Sequence, residues 1–400
     1  MLAGCRLPAC RTRLTGPAIR LLGAAVLLVS VVFALLVLPV TVQLAMGDYL
    51  AFSDFFAQWS FALVARTDDV ARIYDAAALH RFQLTLEPAL RQFFPYPYPP
   101  SYLFILWPLG WMPFPVAYLV WDIATLALFL WAVFGTRLRT PMLAFVVLAP
   151  VTVIALSYGQ NGLLSSALIV GGLRLMGPRP VAGGVLLGLA TFKPQLGVLI
   201  PLALIGAGRW RTLGAAGATA ALLVVASGWA FGWALWPAWL DAIGRHAAYV
   251  EHAVNNYLKP TLMANLLLFG VAPPVAHAVQ AGAAVGVAGV VWLCFRRGAT
   301  GLSLAALQVG TFLAVPFVFR YDMPMLANAV LLVVRDRQQA KQQPGLIEAA
   351  IIMLGLLFPV VVTLTSRFFY FSGMALILLF ALIVWRRLGS GAAARAGRSG

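Results

Sequence analysis

Residues 21–42, LLGAAVLLVSVVFALLVLPVTV, contain no charged side chain. As a helix this run would extend about 33 Å, enough to cross the ~30 Å hydrocarbon core of a bilayer. Apolar segments recur near 116–135, 142–158, 162–177, 180–192, 195–208, 212–235, 274–295, 301–319, 323–334, 345–363 and 368–385. With 20–42 they make about 12 candidate crossings (11–13), the range reflecting segment 101–113, which is short and bounded by prolines. Lipid offers the backbone no hydrogen bonds, so a crossing chain of this kind satisfies its own as helices. Composition agrees: 62% of the chain is hydrophobic and 10% charged, against roughly 25% charged in soluble domains. The expected fold is an all-α polytopic membrane protein. It would form one membrane domain over 1–388 and a disordered cytoplasmic tail over 389–400. Arg6, Arg11, Arg13 and Arg20 precede a run too long for a signal-peptide core, which reads as a retained anchor.

Charge sets the expected orientation. With a cytoplasmic N-terminus and twelve crossings, the inner face receives 19 of the 28 basic residues and only two of the 12 acids, Asp336 and Glu348. That is a positive-inside pattern. It puts both termini in the cytoplasm of a multi-pass plasma-membrane protein. The net charge of +16 then reflects orientation and contact with membrane lipids. No basic stripe is interleaved with polar recognition residues, so no nucleic-acid partner is expected. Cys5, Cys10 and Cys294 have no metal or disulfide spacing.

The outer face would carry nine acids, two long loops (43–100 and 237–272) and the turns YGQN (158–161), TFKP (191–194) and FRYD (319–322). QWSFALVAR and DAAALHRFQ in the first loop read as interfacial amphipathic helices. PYPYPPS (95–101) reads as extended, because each proline restricts its predecessor. Asp54 follows the first span among aromatics. A partly desolvated carboxylate there suits a general base; an N-cap or interfacial anchor is the alternative. Lys193 is one of three lysines and suits a phosphate at headgroup depth, or a snorkelling helix end. Arg320 could grip phosphate, while Tyr321 and Asp322 could bind hydroxyls, or Arg320 and Asp322 could simply close the turn. Gln160 and Asn161 offer sugar-binding amides, or a turn. Tyr98 joins this sugar- or acceptor-binding set. His246, His252 and His277 fit no metal motif, and Asp122, within a span, suits a proton relay or, preferred here, a hydrogen bond to a neighbouring helix. No nucleotide-binding loop, dinucleotide fingerprint or nucleophile elbow is present.

The segments SDFFAQWSFALVARTDDVARIYD, FPYPYPPSYLFILWPLGWMPFPVAYLVWD, YGQNGLLSSALIVGGLRL and AGGVLLGLATFKPQLGVLIPLALIGAGRWR resemble glycosyltransferase family 87, over roughly residues 45–335. These are integral-membrane enzymes of the GT-C class. The resemblance implies a GT-C fold with interfacial helices in the first outer loop. It implies a polyprenyl-phosphate-linked sugar donor, commonly mannose, and a lipid or glycan acceptor on the outer face. It also implies an inverting displacement, with Asp54 as base and Lys193 at the family's basic position. Where some relatives are His-rich this chain has FRYD, so the roles of Arg320–Asp322 do not carry over directly. No cofactor is required for such a reaction, and the outer acids leave a divalent ion open. The competing expectation is a transporter or flippase for a lipid-linked sugar, which should show inverted repeats and midplane polar residues; neither is evident.

Overall fold

The computed structural model describes residues 16–46, 54–136, 140–252, 259–365 and 372–396. Among these the chain is helical and has no strand. In order the helices are α1 (Gly16–Met46), α2 (Asp54–Val64), α3 (Ala76–Leu86), α4 (Leu103–Leu106), α5 (Phe114–Phe134), α6 (Thr140–Val147), α7 (Pro150–Tyr158), α8 (Gly162–Leu175) and α9 (Pro180–Leu189). They continue as α10 (Ile200–Gly206), α11 (Trp210–Phe231), α12 (Leu235–His252), α13 (Leu262–Leu268), α14 (Pro273–Arg296), α15 (Gly301–Ala314), α16 (Met325–Gln339), α17 (Leu346–Thr365) and α18 (Ser372–Ala396).

Four stretches among the described residues are long and apolar enough to cross a membrane: Gly16–Gln43, Phe114–Phe134, Trp210–Phe231 and Pro273–Arg296. Several other expected crossings are shorter or broken. Pro150 interrupts 142–158 into α6 and α7, since proline lacks the N–H that would continue the ladder. Segment 180–208 bends at Lys193, between short helical turns at Ala190–Phe192 and Pro194–Gly197. Segment 101–113 consists of α4 flanked by 3-10 turns at Pro100–Tyr102 and Trp107–Trp111. These twelve helical residues, eight of them 3-10, rise only about 22 Å, less than the hydrocarbon core. They pack beneath α2.

The core runs through α8 and α15, which are buried along almost their whole length. Helix α9 lies between α8 and α11, and glycines set the spacing. A Cβ on Gly183 would stand 2.8 Å from the Gly172 carbonyl oxygen of α8, and one on Gly188 would stand 2.7 Å from the Ala216 carbonyl oxygen of α11. Small residues allow backbones this close in an apolar solvent. By contrast Leu21, Leu28, Leu35 and Leu36 of α1 are exposed, an apolar surface suited to lipid.

The segment after α1 forms helices, as the sequence suggests, with α2 and α3 and a non-helical strap over 93–99. Asp75 caps α3 by accepting the Ala78 N–H at 2.9 Å. Two elements differ from expectation. The second long segment is largely helical, as α12 and α13, and Trp239 of α12 donates to the Pro97 carbonyl at 3.2 Å. The apolar face of α12 thus packs on the strap instead of looping in water. Helix α18 continues to Ala396, into the expected tail, because GAAARA carries four alanines of high helix propensity. Cys5 and Cys10 lie outside the described residues, and Cys294 is buried. His246 and His252 fall in α12, His277 near the start of α14 and Asp122 in α5.

Candidate active site

Asp54 opens α2, where the positive end of a helix favours an acid. Phe55 and Phe56 behind it are fully buried. The turn after α7 packs on them: Gly159 adopts φ +58°, and a Cβ there would stand 2.6 Å from the Phe55 Cβ. This seats Gln160 beside Asp54. Gln160 Nε2 donates to Asp54 Oδ2 at 3.5 Å, and Gln58 Nε2 donates to Gln160 Oε1 at 3.1 Å. The Tyr102 hydroxyl donates to Gln58 Oε1 at 3.0 Å and accepts from Asn161 Nδ2 at 3.1 Å. Asn161 Oδ1 is buried with no hydrogen-bond partner among the described residues. An unmet buried acceptor costs about 1–3 kcal/mol, so this oxygen is poised to accept from a ligand hydroxyl. Burial pushes the Asp54 carboxyl up to about 6, with the Gln160 hydrogen bond pulling weakly the other way.

A second group faces this network. Lys193 Nζ lies 2.5 Å from Asp322 Oδ1, and both side chains are buried. The Phe319 N–H donates to the other carboxylate oxygen at 3.1 Å, so the FRYD turn holds its own acid. The Lys193 ammonium stands 6.0 Å from the Tyr98 ring and 5.9 Å from the Tyr321 ring. Tyr98 lies 4.6 Å from Tyr102, which stacks on Phe192 at 4.6 Å. Tyr98 thereby bridges the lysine and the amide network. Tyr321 stacks on Phe319 at 5.2 Å and lies 5.6 Å from Tyr158. Burial, with the negative charges of Asp322 and Asp54, holds the Tyr321 hydroxyl well above its ordinary value. Arg320 is buried in the same turn. Gly162 makes the junction possible, because a Cβ there would overlap the Tyr321 carbonyl oxygen.

The structure therefore gathers Asp54, Tyr98, Gln160, Asn161, Lys193, Tyr321 and Asp322 from five distant stretches, with Arg320 buried beside them. Within FRYD, Asp322 bonds Lys193, from another element, and accepts the Phe319 N–H of its own turn.

Three residues were not singled out from sequence. Gln58 lies one helical turn after Asp54, a spacing that puts both on one face. Tyr102 ends the proline strap. Lys259 is fully buried, with its ammonium 5.6 Å from the Phe319 ring. Its LKP context echoes the FKP around Lys193, and that echo was the available signal.

The arrangement sets a carboxyl titrating near neutrality beside amides and aromatic faces suited to a sugar, with buried cations on the far side. The model of glycosyltransferase family 87 matches residues 96–319. The match includes Tyr98, Gln160, Asn161, Lys193 and Lys259, and leaves Asp54 and Arg320–Asp322 outside. No curated protein and no solved structure matches the chain significantly.

Proposed function

The chain belongs to glycosyltransferase family 87 and is a membrane glycosyltransferase, and we propose that it transfers a hexose, mannose by family precedent, from a polyprenyl-phosphate donor to a lipid or glycan acceptor on the outer face of the plasma membrane. The observation that carries this reading is the opposition of Asp54, held near neutral pKa, to the buried Lys193–Asp322 pair across one cluster of aromatics and amides.

The chemistry is a single inverting displacement. Asp54 accepts the proton of an acceptor hydroxyl as that oxygen attacks the anomeric carbon. The bond from that carbon to the phosphate oxygen breaks on the opposite face, and the lipid phosphate leaves with the electron pair. Lys193, Arg320 and Lys259 take up the charge on the departing phosphate, a preorganised electrostatic contribution. Asp322 holds Lys193 until the donor arrives, and the phosphate replaces it as the ammonium's partner. Tyr98, Tyr321 and Asn161 bind the sugar or acceptor, with the unmet Asn161 Oδ1 accepting from a hydroxyl. The positive-inside charge pattern supports placing this cluster on the outer face, with both termini cytoplasmic.

The test is sugar release from labelled polyprenyl-phosphate-mannose by purified protein in nanodiscs, with and without a membrane-lipid extract. Extract-dependent transfer by wild type, absent in Asp54→Asn, is the expected result. Tight donor binding with no transfer under any acceptor condition would overturn the enzyme reading in favour of transport.

A further inference from the structure

Two cavities lie far from this cluster. One, of about 690 Å³, is enclosed by α1, α6, α16 and α17. The other, of about 800 Å³, lies between α17 and α18. The first is lined on α17 by Ala349, Ile352, Met353 and Leu356, and the second by Ile347, Glu348 and Ile351. At 3.6 residues per turn these are opposite faces of one helix. Both cavities end at the same polar residues, Arg337, Gln342 and Gln343. Helix α16 starts at Met325, just after the FRYD turn, and carries Arg337 about 18 Å farther along its axis.

The walls are apolar and the shared mouth is not. On α1 the lining runs from Ile19 to Ser30, about 17 Å of helix, close to one leaflet's share of the ~30 Å hydrocarbon core. At the mouth Arg337 donates to Glu348 at 2.6 Å and to Gln342 at 2.9 Å. Arg386 pairs with Glu348 at 3.4 Å and also with Asp336. Lys341 lines the first cavity, is exposed, and makes no ion pair among the described residues. The three cations Arg337, Lys341 and Arg386 against the two carboxylates Asp336 and Glu348 leave one net positive charge.

We propose that the two cavities form one site for a diacyl anionic phospholipid, with one chain on each side of α17 and the phosphodiester at Lys341, Gln342 and Gln343. It would lie in the leaflet opposite the candidate active site. Two apolar cavities joined at a single polar mouth match two chains joined at a single head. The lone net positive charge matches one phosphodiester, whereas a choline headgroup would bring a second cation against it.

The test is native mass spectrometry of the full detergent-purified chain, with dioleoyl phosphatidylglycerol or dioleoyl phosphatidylcholine at equal concentration. The expected result is one retained phosphatidylglycerol per chain and a preference of about fivefold or more, the scale of one lysine at an anionic headgroup. Lys341→Glu, on an exposed turn, should abolish the preference. Gly23→Phe should fill the first cavity, where an added Cβ meets nothing within 4 Å. Ala381→Phe should fill the second. Each should lower retention several-fold while leaving the lipid-free melting temperature unchanged. Lysophosphatidylglycerol, with one chain, should be held more weakly than the two-chain lipid. Equal retention of the two headgroups, two lipids binding independently, or retention unaffected by both cavity-filling variants would overturn the proposal.

Discussion

Replacing Asp54 with Asn should abolish transfer and yet make the protein more stable at neutral pH. The carboxyl is pushed from 3.8 up to about 6 by burial. Each pKa unit corresponds to 1.36 kcal/mol, so ionised Asp54 costs the folded state up to about 3 kcal/mol. Asp54 is partly exposed, and water reaching it reduces this to about 1–2 kcal/mol. The folded pKa lies above the unfolded one, so between about pH 4 and 6 the folded state binds more protons and stability falls as pH rises. The penalty is complete above about pH 6 and absent below about pH 4. Asparagine keeps a hydrogen-bonding amide beside Gln160 but carries no charge. The variant should therefore melt higher than wild type at pH 7 and level with it near pH 4. Its turnover should fall by about 10²–10⁴. Wild-type kcat/KM should drop through an acid limb near pH 6, reaching about a tenth of its plateau at pH 5. Turnover and detergent-solution melting curves, measured at both pH values, decide the matter. Turnover within threefold of wild type would remove Asp54 as base, and a lower melting temperature at pH 7 would refute the desolvation argument.

Other outcomes are expected from the same geometry. Asp322→Ala strands a buried ammonium and should cost about 3–5 kcal/mol, whereas Lys193→Met with Asp322→Leu should recover most of that stability and remain inactive; both are read by thermal melts and the transfer assay. Lys259→Met should weaken binding of a short-chain polyprenyl phosphate, and unchanged affinity would remove it from the phosphate site. Gln160→Leu deletes the hydrogen bond that holds the Asp54 carboxyl down, so the acid limb should move to higher pH. A tag inserted near residue 85 should be reached by external protease in spheroplasts, and its protection would reverse the assigned orientation.

The helical membrane class was legible because uncharged runs long enough to span have few other uses. That α2 and α3 are helices was legible for a local reason, since period and caps lie within a dozen residues. The number of crossings was not, because hydropathy reports apolar length and does not register the breaks at Pro150 and Lys193. The helix α12 was missed because its partner, the Pro97 carbonyl, is 142 residues away. The candidate site was legible as residue types and turns. Its wiring was not: Lys193 to Asp322 spans 129 residues, and nothing local distinguishes Asp322 as Lys193's partner from Asp322 as Arg320's. Lys259 escaped because the only hint, a Lys-Pro pair like that at Lys193, is too short to stand out until the Phe319 ring stands beside it.

The contact between Gly162 and the Tyr321 carbonyl joins two distant parts of the chain, main chain to main chain. A seam of that kind has no side chain to trim. Substitution can only thicken it, and any thickening pushes Asn161 away from Asp322. Under the proposed function, a change of sugar preference, by drift or by engineering, would have to come from the side chains around the seam, such as Tyr158, Gln160 and Tyr321. The position at 162 acts as a fixed gauge for the spacing between the α8 start and the FRYD turn.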